Sequence, residues 1–109
     1  MVNNVHSIFK EIRQDLETVK RHLSIVQTLL REQPVGIIKI SQETKIPEHK
    51  IRYSLRVLER EGVISPSREG AILTPEFVEN KDLLANEAKE LSEEMDKIYQ
   101  DLKATLTKK

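Results

Sequence analysis

The chain contains no cysteine and no tryptophan, and it has only 3 glycines in 109 residues. Without thiols there are no disulfides, no thiolate metal ligands and no cysteine nucleophile. Three scattered glycines cannot build a phosphate-cradling loop, and no serine stands in a nucleophile elbow. His6, His22 and His49 lack metal-ligand spacing, so neither a cofactor nor an enzymatic reaction is expected. No apolar run approaches the roughly 18 residues that span a bilayer, and the start does not read as a signal peptide. A soluble, cytoplasmic chain with no membrane partner is the expectation. Aromatics are only 4% of the sequence, which leaves little for one thick core.

An excess of charge of one sign is also missing, but the distribution is uneven. Charged residues make up 33% of the chain and sum to zero. Residues 34–74 carry Lys39, Lys45, Lys50, Arg52, Arg56, Arg60 and Arg68 against Glu43, Glu48, Glu59, Glu61 and Glu69. Residues 75–109 are acidic on balance. The middle of the chain can therefore face a polyanion, and the tail cannot.

Apolar periodicity divides the chain into three parts. From about residue 3 to 32, Val5, Ile8, Ile12, Leu16, Val19, Leu23, Val26 and Leu30 recur every three or four residues. This predicts a helix close to a heptad seam, capped by Asn3 or Asn4 and stopped by Pro34. Some 28 helical residues extend ~42 Å, too far for a small domain to cover. In the middle part, residues 35–38 suggest a connector or strand and residues 40–44 a short helix. Pro47 opens another helix, with Ile51, Leu55 and Leu58 inward and Gly62 as its left-handed cap. Two short apolar runs, 63–64 and 71–74, flank the turn-forming residues 65–70 and predict a hairpin. Thr74, Pro75 and Glu76 make a helix start, Asn80 breaks a short first segment, and a second heptad pattern follows. Its positions are Leu84, Ala88, Leu91, Met95, Ile98, Leu102 and Leu106. Glu93, Glu94 and Asp96 point to different sides of that helix and form a solvated face.

The order of elements in the middle part, with its local sequences, resembles a known superfamily. Residues 22–32 (HLSIVQTLLRE), 40–47 (ISQETKIP), 51–64 (IRYSLRVLEREGVI) and 71–76 (AILTPE) are similar to the first helix, second helix and turn, third helix, and return strand of winged helix-turn-helix domains. The chain thus resembles prokaryotic, including archaeal, transcriptional regulators of that type. Its helical extensions are similar to those of dimeric regulators of the PadR, ArsR and MarR kinds. The fold this implies is mainly α with a small β-hairpin wing, flanked by long terminal helices. Residues 1–21 form an N-terminal extension, 22–78 the winged helix domain and 79–109 a C-terminal helix. One position departs from the pattern. Where the turn before the third helix usually carries Gly or Asn at positive φ, this chain has Lys45, so either Lys45 is strained or the turn takes another shape.

The resemblance implies double-stranded DNA as a partner. With Ile51, Leu55 and Leu58 inward, the third helix presents His49, Arg52, Tyr53 and Arg56 outward, where arginine can read base edges in the major groove. Lys45 and Lys50 suit phosphates, and Arg68 at the hairpin tip suits the backbone or minor groove. Glu48 opposes phosphate contact. On an ordinary exposed helix the same residues merely solvate the surface, and Tyr53 can equally be a packing residue. The seams of Ile8, Ile12, Leu16 and Val19 and of Leu91, Met95, Ile98 and Leu102 predict a homodimer built on the terminal helices. The competing expectations are that the two seams pack on each other within one chain, and that the domain is a protein-interaction module in a larger assembly.

Overall fold

The computed structural model describes residues 7–107. Among them the chain is mainly helical, with four helices and one two-stranded antiparallel hairpin. The order is α1 (Lys10–Arg31), α2 (Ile37–Thr44), α3 (Glu48–Arg60), β1 (Ile64–Ser67), β2 (Gly70–Leu73) and α4 (Pro75–Leu106). Two compact units emerge, Met1–Phe77 and Val78–Lys109. No helix among the described residues is long and apolar enough to cross a membrane.

The expected start of the first helix shifts. The Asn3 or Asn4 cap, Val5 and His6 lie outside the described residues. At Ser7 the side-chain hydroxyl accepts the Phe9 N–H at 3.0 Å, and its carbonyl accepts the Lys10 N–H. Serine competes with the helix for these groups, so helical geometry begins at Lys10 and Ile8 stands before it in a turn. The far half of α1 has a second apolar face that the single seam does not reveal. Ile25, Val26, Thr28 and Leu29 are buried, while Leu23 and Leu30 are exposed.

The core of the first unit joins every element of it. Ile25, Val26 and Leu29 meet Val35, Ile40, Ile51, Leu58, Ile64, Ala71 and Leu73, with Leu55 and Phe77 packed at the margin. Burying each such aliphatic side chain is worth about 1.5–3 kcal/mol. The segment expected as a connector or strand divides between two roles. Val35 exchanges two backbone hydrogen bonds with Ala71, at 2.9 and 3.2 Å, and α2 starts at Ile37, three residues earlier than the expected helix. Gly70 makes that junction possible. A Cβ there would come within 2.6 Å of the Val35 carbonyl oxygen, and its φ is +138°.

The hairpin is tighter than expected. Strand β1 runs through Pro66 to Ser67, pairing Ile64 with Leu73 and Ser67 with Gly70, so the turn is only Arg68 and Glu69. Val35 bridges β2 on its other side, which makes β1 an edge strand, and an edge tolerates a proline. The helix ends follow the sequence. Gly62, at φ +78°, closes α3 while the Val63 N–H reaches Leu58 and the Gly62 N–H reaches Glu59, the Schellman pattern. The Thr74 hydroxyl accepts the Phe77 N–H at 3.1 Å and opens α4, and Asn80 interrupts that helix at φ −116°, ψ 18°.

Candidate nucleic-acid interface

Helix α3 is amphipathic because its interior residues recur at Ile51, Ser54 and Leu58. Leu55 and Val57 are half-buried at the margin, and Glu48, His49, Lys50, Arg52, Tyr53 and Arg56 are all exposed, Tyr53 to 49%. The five expected α3 side chains thus share one helix, with Arg52 and Arg56 one turn apart.

Lys45 precedes this helix as the C-cap of α2, at φ 64°, ψ 22°. The two alternatives for this turn resolve as strain, since a residue with a Cβ occupies the left-handed region. The neighbouring hydroxyls hold the turn. Ser41 donates to the Ile46 carbonyl at 2.6 Å, and Thr44 Oγ1 accepts the Ile46 N–H at 3.3 Å. The Lys45 ammonium is exposed beside the start of α3.

Arg52 is not free of competition. Its guanidinium lies 3.9 Å from Glu48, one turn back, as an exposed pair worth only a few tenths of a kcal/mol. Arg56 makes no ion pair to another described residue. Arg68 is exposed in the hairpin turn and, with Ile37, Leu55, Glu59 and Pro66, lines an open groove of about 470 Å³.

Three participants escape the apolar pattern. Ser54 is fully buried although polar. Its Oγ accepts from Arg21 Nε at 2.8 Å and lies 2.9 Å from His22 Nδ1. The hydroxyl can donate to an imidazole Nδ1 while receiving the guanidinium, so the buried oxygen is satisfied when His22 is neutral. Burial, and then the neighbouring Arg21 charge, push the His22 pKa down and favour that neutral form. Arg21 in turn lies 5.7 Å from the Tyr53 ring centroid, a cation–π contact that adds a cation from α1 to the outward face of α3. A signal existed in the sequence: Ser54 lies one turn beyond Ile51 on α3's inward side, and an interior serine needs partners.

Other basic residues are neutralised elsewhere. Lys39 bonds Glu32 at 3.0 Å, and Arg31 lies 3.6 Å from Glu43. The hydrogen bond to Glu32, followed by that carboxylate's charge, holds Lys39 above the usual lysine range. Arg60 lies 3.7 Å from Glu61, so among the described residues around α3 and the hairpin the cations without a close carboxylate are Arg21, Lys45, Lys50, Arg56 and Arg68, with the weakly paired Arg52 and with His49 and Tyr53 beside them. The expected seam residues Ile8, Ile12, Leu16, Val19, Leu91, Met95 and Ile98 are exposed, and Leu102 is half-buried. Among the described residues no group of three His, Asp or Glu side chains is placed to hold a metal. Neither protein-family models nor curated proteins give a match to this sequence.

Proposed function

We propose that the chain is a winged helix-turn-helix DNA-binding regulator that acts as a homodimer. In this reading α3 enters the major groove and the hairpin rests on the backbone or minor groove. The observation that carries it is the split of α3: Ile51, Ser54 and Leu58 fix one side in the core, and the other side gathers cations around Tyr53. Arg52 and Arg56 have the reach and the fork geometry for base edges, and Lys45, Lys50 and Arg21 suit phosphates. Two copies are called for by the exposed apolar stripes of α1 and α4, which a soluble chain rarely leaves in water.

The test is binding of duplex DNA across a salt series. A dimer that neutralises about six to eight phosphates gives a log–log slope of roughly −5 to −7. The Glu48–Arg52 pair and the modest positive excess of residues 34–74 favour the second reading, a winged helix that docks on protein. Absence of binding to any duplex at low salt, or binding indifferent to salt, decides for that second reading.

A further inference from the structure

The flanks of the two exposed stripes are charged, and in opposite senses. In α4 the heptad runs Leu84, Ala88, Leu91, Met95, Ile98, Leu102 at seam positions. The residue before each of Ala88, Met95 and Leu102 is acidic: Glu87, Glu94 and Asp101. The residues after Leu84, Leu91 and Ile98 are uncharged: Ala85, Ser92 and Tyr99. In α1 the seam is Ile12, Leu16, Val19, Leu23, and the residues after Ile12 and Val19 are Arg13 and Lys20. One helix therefore has an acidic flank on one side of its seam, and the other a basic flank on the opposite side. All five charged residues are exposed.

We infer that α1 of one copy pairs in parallel with α4 of a second copy, and the converse, so that each dimer contains two such pairs. The inference rests on the dimeric reading above and specifies which surfaces meet. In parallel helices these opposite flanks face each other. One register then sets Glu87 against Arg13 and Glu94 against Lys20. The same register layers Ile12 on Leu91, Leu16 on Met95, Val19 on Ile98 and Leu23 on Leu102, using the four exposed seam residues of α1 from Ile12 to Leu23. Parallel α1 with α1 sets Asp15 on Lys20 but leaves the α4 stripe to pair on itself, and four other arrangements are poorer. Antiparallel α4 with α4 places acid on acid, and antiparallel α1 with α1 places base on base. Antiparallel α1 with α4 sets Asp15 on the acidic flank. Parallel α4 with α4 leaves the acids facing Ser92 and Tyr99 unpaired. Lys20 lies 3.2 Å from Glu17 in its own helix, an exposed pair that yields readily to an interchain one. Exposed pairs of this kind contribute little affinity but set partner and orientation.

A mixing experiment tests the arrangement. The variant Glu87→Lys/Glu94→Lys has two basic flanks, and Arg13→Glu/Lys20→Glu has two acidic ones. Each alone should dimerise roughly thirty-fold or more weaker than the wild type, because every interchain flank repels. Mixed in equal amounts they should form the heterodimer in preference to either homodimer, read by native mass spectrometry with one chain tagged. The control Glu90→Lys/Glu93→Lys makes the same change of net charge away from the flanks and should dimerise like the wild type. A second reading uses the absence of cysteine. Leu16→Cys on one chain and Met95→Cys on another should give a mixed disulfide in excess of both symmetric ones. Weakened variants that mixing does not rescue would place the pairing within one chain and overturn the inference. Undiminished dimers in both variants would overturn it in favour of like-with-like pairing. A monomeric wild type would overturn the dimer itself.

Discussion

At Lys45 a side chain occupies backbone geometry that glycine adopts without strain. The position costs stability of about 0.5–1 kcal/mol relative to glycine. Lys45→Gly should therefore raise the unfolding midpoint, and the same change should lower the DNA salt slope by about one unit per chain if the ammonium meets a phosphate. Calorimetry and a salt series read the two effects separately; a lower midpoint would show that the lysine's own contacts outweigh its strain. His22 gives a prediction in pH. Its folded pKa is depressed below the ordinary 6.5, so the folded state resists protonation. The stability it contributes is complete above about pH 6.5 and is lost as pH falls through the lowered value. Urea midpoints of the wild type and His22→Gln should thus converge between pH 7.5 and 5. A gap that stays constant or widens would mean that Ser54 and Arg21 accommodate imidazolium as well as imidazole.

Among the helices, α3 was the most legible in sequence, whereas α1 was expected to start earlier than it does and α2 later. Gly62, Thr74 and Asn80 announce helix ends by local chemistry, and the structure places a cap, a start and an interruption there. The turn at Lys45 depends on side-chain hydrogen bonds from its neighbours Ser41 and Thr44, and the buried Ser54 on the tertiary partners Arg21 and His22, neither of which periodicity sees. The early start of α2 escaped for the same reason, since Val35 is held by Ala71 across 36 positions of sequence. The elements proposed to face DNA separate by reach. Arg52 and Arg56 stand in mid-helix, whereas Arg68 stands in a hairpin turn. Arg56→Ala should cost about 1–3 kcal/mol on a preferred site and less on scrambled DNA. Arg68→Ala should weaken both nearly equally and flatten the salt slope. Affinities for both DNAs across a salt series decide; a preferred sequence altered by Arg68→Ala alone would put the hairpin on the bases and the helix on the backbone.

The whole molecule carries more apolar surface than its core consumes. Leu91, Met95 and Ile98 are exposed at 61%, 40% and 41%, so the stripe of α4 calls for a partner. In the proposed dimer Leu91→Glu with Ile98→Glu would set carboxylates in the interface and should give a monomer, since burying unpaired charge costs several kcal/mol. Light scattering at micromolar concentration reads this directly: a wild-type mass near 12.6 kDa would exclude the dimer before any variant is made. The backbone junction of Gly70 with Val35 and Gly36 has its own outcome for the molecule, as a boundary on what its sequence can become. In a saturation library of the hairpin, position 70 should admit no side chain, while Arg68 and Glu69 beside it, exposed and turn-borne, should admit nearly any. A fixed root under a free tip lets the two turn residues drift through many chemistries while the fold stays put, so the hairpin is where a descendant of this protein could acquire a new partner at the smallest cost in stability.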